Sequence, residues 1–225
     1  MLSTEPITLE DILPAPYTSI SRSNSHLSLT NIYQDDINIA IWQSAISSDL
    51  KSNAALLMQL LPNMKVVVTV TPQTTISALQ ENYAELAEYD ALCQHLALLV
   101  DMFCTLFELK RVGLRLTVLN NAMCPKFHVD KVPCRLVTTL AGDATEWLPS
   151  NAVDKTKLGK GSLGLTDAES GIYQHEDDIQ QLSVGDVALL KGEGWLNNEN
   201  NGLVHRSPSI PVHEQRLLLT LDFID

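Results

Sequence analysis

The sequence has few aromatic residues, few cysteines and little positive charge, and each shortage removes a class of protein. Aromatics make up 5% of the 225 residues, which argues against an extensive aromatic substrate pocket. Four cysteines in a chain of this length do not make the disulfide framework of a small secreted domain. Fifteen basic side chains stand against 27 acidic ones, a formal charge of −12. A phosphate-backbone binder needs the opposite balance, so nucleic acid is not expected as a partner. The opening segment MLSTEPITLEDILPAPYTS lacks the basic and apolar regions of a secretory signal. The most apolar stretch, Leu92 to Leu109, is interrupted by His95, Asp101 and Glu108 and reads as a buried helix rather than a membrane span. The expectation is a cytoplasmic protein with no membrane partner.

What the chain does have is apolar residues, 45% of the total, enough to build a core. Residues 1–35 are rich in Ser, Thr, Pro and Asn and are expected to form an arm with one short helix. Residues 36–225 are expected to form a single α+β domain. Within it, 36–120 reads as a helical buttress with strands. One helix is expected from Asp36, capped by Asp35 or Asp36, with Ile39, Trp42, Ile46 and Leu50 at helical spacing and Pro62 at its end. The β-branched run Lys65 to Thr71 reads as a buried strand. A long helix is then expected from about Thr75 to Lys110, with Leu79, Leu86, Leu92, Leu96 and Leu99 inward, followed by the strand LRLTVL. Residues 121–225 change character: FHVD, RLVTTLAG, DVALLKG, GLVHRS and RLLLTLDFI are short β-rich runs separated by turn residues. Many short strands with turn signals predict a β-barrel.

The chemistry concentrates in CPKFHVDKVPC, Cys124 to Cys134. On a strand, residues two apart share a face, so His128 and Asp130 project together while Val129 points away. GLVHRSP offers His205 as a third ligand on another strand. Two histidines and one carboxylate on one side of a metal form the facial triad of non-haem Fe(II) oxygenases, which leaves coordination positions open. Arg216 opens the next strand, where its guanidinium could clamp a carboxylate bidentately; Arg206 and Arg135 are rival clamps. Thr145 and Trp147 share a face and are candidates for a pocket wall. Cys124 is a candidate fourth ligand if the metal is zinc, and His213 an alternative imidazole. Cys134, Cys93, Cys104 and His95 read as core. The competing reading of His128 and Asp130 is a hydrogen-bonded pair without metal.

The order H-x-D, Gly185-Asp186 before a strand, His205, then Arg216 on the next strand resembles the double-stranded β-helix (cupin or jelly-roll-like) dioxygenases that use Fe(II) and 2-oxoglutarate. The resemblance covers about Cys124 to Phe223. It implies that His128, Asp130 and His205 hold iron and that Arg216 binds the distal carboxylate of 2-oxoglutarate. A closer similarity is to a bacterial family, domain of unknown function 1826. It is carried by C-P-x-F-H-V-D at Cys124 to Asp130, Arg135-Leu136, Thr145-Glu146-Trp147-Leu148, Gly185-Asp186 and His205-Arg206-Ser207. That family's association with zinc homeostasis implies the alternative, a zinc-binding protein without redox catalysis. A third reading is a barrel that has lost its metal and serves as an interaction module.

Overall fold

The computed structural model describes residues 19–224. Part of the segment expected to be an arm, from Ser19 on, is built into the sheet; the rest of that expectation lies outside the described residues. Strand β1 (Ser19–Ser23) runs parallel to β2 (Ile37–Trp42), and a 3-10 turn at His26–Tyr33 packs between them and the helices. The helix expected from Asp36 is therefore a strand first. Isoleucines at 37, 39 and 41 alternate at the strand period, and nearly every residue of β2 is buried because both faces are covered. The helix, α1 (Ser48–Leu60), starts a dozen residues later, where the Ser47 hydroxyl accepts the Leu50 amide at 3.3 Å. Helical spacing from Ile39 to Leu50 was a coincidence of two elements.

Strand β3 (Lys65–Val70) alternates: Val66 and Val70 are buried, whereas Val67 is 55% exposed. It is an edge strand rather than the buried one expected. The long helix is two, α2 (Thr75–Asn82) and α3 (Asp90–Leu106), joined by a 3-10 turn. The break falls at Tyr83, whose backbone is extended and whose hydroxyl accepts the Lys65 amide at 3.1 Å, pinning the chain to β3. The five leucines expected to face inward are all fully buried. Each contributes about 1.5–3 kcal/mol of hydrophobic stabilisation.

Strands β4 (Val112–Leu119), β5 (Cys134–Ala141), β8 (Val187–Lys191) and β10 (Arg216–Asp222) complete a seven-stranded sheet of order β1-β2-β8-β5-β10-β4-β3. Strands β6 (Glu146–Leu148), β7 (Gln180–Gln181) and β9 (Val204–Arg206) form a second sheet of order β7-β6-β9. A bridge between His128 and His205, with both N–H···O bonds at 3.0 Å, adds a fourth member to it. From β4 onward the chain shuttles between the two sheets, which is the winding of a double-stranded β-helix. Leu116, Leu136, Leu189 and Leu219 face α1–α3 on one side of the large sheet. Ile39, Val137, Leu190 and Leu218 face Trp147 and Leu203 of the small sheet on the other. The molecule is thus α+β, a barrel buttressed by its helices. Among the described residues no helix is long and apolar enough to cross a membrane.

The connection from β6 to β7 is long and mostly 3-10 turns, and it carries the short helix α4 (Asp167–Ser170), closed by a Thr166–Glu169 capping box. Asp167 accepts the Phe127 amide at 3.0 Å and the Arg206 guanidinium at 2.9 Å. The loop thereby ties down both segments that carry the histidines.

Candidate metal centre

His128 and His205 face each other across their bridge, ring centroids 4.5 Å apart, and Asp130 lies two residues beyond His128 on the same side. One ligand atom from each of these three residues falls within 4.8 Å of the others. Asp130 Oδ2 is 3.5 Å from His205 Nε2, and its Oδ1 is 3.9 Å from His128 Nε2. Each imidazole is oriented by its own stretch of backbone: His128 Nδ1 lies 3.0 Å from the Lys126 carbonyl and His205 Nδ1 lies 3.1 Å from the Leu203 carbonyl. A carbonyl only accepts, so each ring carries a proton on Nδ1 and turns its Nε2 toward the centre. Burial pushes the His205 pKa down to about 4, against a smaller upward pull from Asp130. The ring is therefore neutral at pH 7 and free to donate to a cation.

The carboxylate is held as firmly as the rings. Arg135 Nη1 donates to both oxygens of Asp130 at 2.9 and 2.8 Å, and its Nε donates to Asp222 at 2.7 Å. Arg135 is accordingly committed to the ligand and does not stand free as a clamp. Arg206 is committed as well: it donates to Glu146 at 2.6 Å and to Asp167 at 2.9 Å, with its guanidinium 4.3 Å over the Phe127 ring.

Arg216 differs from both. It is 1% exposed, yet it forms no ion pair among the described residues. Its Nε and Nη2 donate to Thr139 Oγ1 at 3.2 and 2.9 Å, and Nη2 donates to Thr145 Oγ1 at 2.6 Å. Burial lowers its pKa to about 10, so it remains charged at neutral pH. Arg216, Thr145, His128 and His205 line one cavity inside the barrel. A buried guanidinium hydrogen-bonded only to hydroxyls, with Asp143 and Glu146 acting on it from beyond ion-pair distance, is costly unless a ligand supplies a closer anion.

Three expectations land elsewhere. Trp147 is 1% exposed and belongs to the apolar cluster between the sheets with Ile39, Ile41 and Val137; it backs the His205 strand, opposite which it pairs, and does not line the cavity. Cys124 sits at the mouth, its carbonyl accepting the Ser207 amide at 2.9 Å, and its thiol is outside the three-ligand cluster. His213 is an exposed turn residue with φ of 74°, also outside the cluster. Cys134 is fully buried among the helix-facing residues, as packing would have it.

Sequence reasoning missed Thr139, Asp222 and Asp167. The first two were within reach of strand alternation: Thr139 shares the face of Arg135 and Val137, and Asp222 that of Arg216 and Leu218. Asp167 lies in a loop with no such periodicity. Gly185 and Asp186 are structural, the Asp186 carboxylate accepting the Ser44 and Ser183 amides at 3.0 Å each.

The family model described as Protein of unknown function (DUF1826) matches residues 23–222. No curated protein matches the chain. Among solved structures, the iron-bound HygX of Streptomyces hygroscopicus is 13% identical, with 88% of this chain and 85% of that one covered at a TM-score of 0.46. The non-heme alpha ketoglutarate dependent epimerase SnoN from nogalamycin biosynthesis is 13% identical, covering 88% and 82% at a TM-score of 0.44. A Pseudomonas putida prolyl-4-hydroxylase is 12% identical, covering 88% and 96% at a TM-score of 0.44.

Proposed function

The chain belongs to the DUF1826 family, and we propose that it is a non-haem, Fe(II)- and 2-oxoglutarate-dependent oxygenase. The observation that carries this reading is a cluster of two imidazoles and a carboxylate beside a cavity that both histidines line together with a buried arginine in no ion pair among the described residues. The donor set fits the metal: two nitrogen ligands and one oxygen ligand, drawn from one side, are the set that suits Fe(II) and leaves positions for exchangeable ligands. His128, Asp130 and His205 would hold it. When bound, Fe(II) supplies the oxidation of a substrate C–H bond by O2, coupled to conversion of 2-oxoglutarate to succinate and CO2.

The protein's own contribution is placement. The Lys126 and Leu203 carbonyls fix both rings in the donating tautomer, so no reorganisation is needed when the cation arrives. Arg135 fixes the Asp130 rotamer. Arg216, locked by Thr139 and Thr145, presents its remaining N–H groups to the distal carboxylate of the co-substrate. Nothing in the site favours the zinc alternative, because the thiol that would have made it four-coordinate is outside the cluster.

Anaerobic titration with Fe(II) and 2-oxoglutarate tests this directly. A weak visible charge-transfer band is expected in the wild-type protein. In Arg216→Met the affinity for 2-oxoglutarate should fall by about 30-fold or more, the loss of a buried charge-assisted pair worth roughly 2–5 kcal/mol. A fully iron-loaded wild-type protein with no band sinks the reading.

A further inference from the structure

The same cavity contains a charge that the oxygenase reading does not use. The chain has six arginines in all, and four of them, Arg115, Arg135, Arg206 and Arg216, line this one cavity. No acidic residue is among the described lining residues. In a protein of net charge −12 that is a concentrated cationic hole. Arg135 is balanced by Asp130 and Asp222, and Arg206 by Glu146 and Asp167. Arg216 awaits the co-substrate. Arg115 remains. It is exposed, enters no ion pair among the described residues, and offers Nη1 only to the Met123 sulfur at 3.7 Å.

The position of Arg115 is set by register. It lies on β4 directly opposite Thr220 of β10, and both line the cavity. Strand alternation puts Thr117 and Leu119 on the same face, and Leu119 packs into the apolar cluster between the sheets, which identifies this as the barrel's inner face. Thr117, 7% exposed, carries a hydroxyl with no hydrogen-bond partner among the described residues. A guanidinium and a threonine across the ladder therefore line the cavity with His128 and His205, and an idle hydroxyl lies one step along the same face of β4.

We infer that Arg115, with Thr220, recognises an anionic group on the substrate, a carboxylate or a phosphate, so that the molecule oxidised is an acid rather than a neutral compound. This rests on the oxygenase reading. A substrate entering the mouth strips water from Arg115. A neutral substrate would leave that charge desolvated and unpaired, whereas an anion converts the cost into charge-assisted hydrogen bonds. The two carboxylates of 2-oxoglutarate do not cancel this demand, because Arg216 and the metal account for both.

The test uses the full chain, loaded anaerobically with Fe(II) and saturating 2-oxoglutarate so that Arg216 is occupied. Benzoate and benzamide, nearly isosteric but differing in charge, are titrated by calorimetry. Benzoate should bind at least about tenfold more tightly than benzamide. That discrimination should vanish in Arg115→Gln and be partly kept in Arg115→Lys, with the charge-transfer band unaltered in both. Equal affinity for acid and amide, or full discrimination surviving in Arg115→Gln, overturns the inference. So does loss of the band in Arg115→Gln, which would put Arg115 in the co-substrate site. If wild-type protein gives no band but discriminates through Arg115, the oxygenase reading fails and the anion site stands. Inorganic phosphate, run as a competitor of benzoate, separates phosphate from carboxylate recognition, and either supports an anionic substrate.

Discussion

Arg135 shows how one side chain of the cavity wall conditions a neighbouring carboxylate. It spans Asp130 and Asp222, so the carboxylate ligand is oriented before any cation arrives. Replacing Arg135 with Gln frees the Asp130 rotamer and leaves Asp222 without its partner. Metal affinity, measured by competition with a chelator, should fall about 10–100-fold, the usual consequence of losing a group that orients a ligand. An unchanged affinity would mean that the local backbone alone positions Asp130. The candidate ligands were legible because residues two apart in an extended segment project to one side, a local property, although the expected strand is only the bridge at His128 with Asp130 just past it. The partners of the arginines were not. Arg135 and Asp222 are 87 residues apart, and only the β5–β10 register brings them together.

At the level of elements, periodicity misled where two short elements abutted. Ile39, Trp42, Ile46 and Leu50 sit at helical spacing, but β-branched residues at 37, 39 and 41 carry the stronger signal, and α1 begins only at Ser48. Of the β-runs expected in the second half, three became β5, β8 and β10 with nearly the expected bounds, GLVHRS holds only the three residues of β9, FHVD holds only the bridge at His128, and β7 was not expected. A turn between two of them controls the site from outside it. Gly142, at the end of β5, has φ of 80°, and a Cβ there would come within 2.2 Å of the Gln215 carbonyl and 2.9 Å of the Arg216 Cα. Gly142→Ala must both adopt a left-handed backbone and push the start of β10 away. A loss of about 2–4 kcal/mol in urea unfolding is expected. Weaker 2-oxoglutarate binding should accompany it, since Arg216 is carried on the displaced strand. Full stability in the variant would show that β10 shifts freely, contrary to the paired register on both its sides.

At the scale of the whole molecule the two faces of one sheet are used differently, the candidate site lying inside the barrel and the helices packing behind. Which strand neighbours which is non-local and was invisible to composition and spacing alone. The helical layer has a weak point of its own. His95 on α3 is 8% exposed, and its Nε2 meets no hydrogen-bond partner among the described residues. Burial lowers its pKa from the ordinary 6.5, so the folded core accepts the neutral ring and resists the charged one. Above that value both states are neutral and stability is full. As pH falls through 6.5 the unfolded chain binds a proton that the folded chain refuses, so the free energy of unfolding drops by up to about 1.4 kcal/mol per pH unit until the lower folded-state pKa is reached. His205, held down to about 4, adds a second loss of the same sign in metal-free protein. Urea midpoints of metal-free protein at pH 7.5 and 5.5 should therefore differ steeply in the wild type. In His95→Leu they should differ less, because one of the two imidazoles is gone. Equal slopes in the two proteins would place the acid sensitivity in the barrel alone and leave the helical layer indifferent to pH.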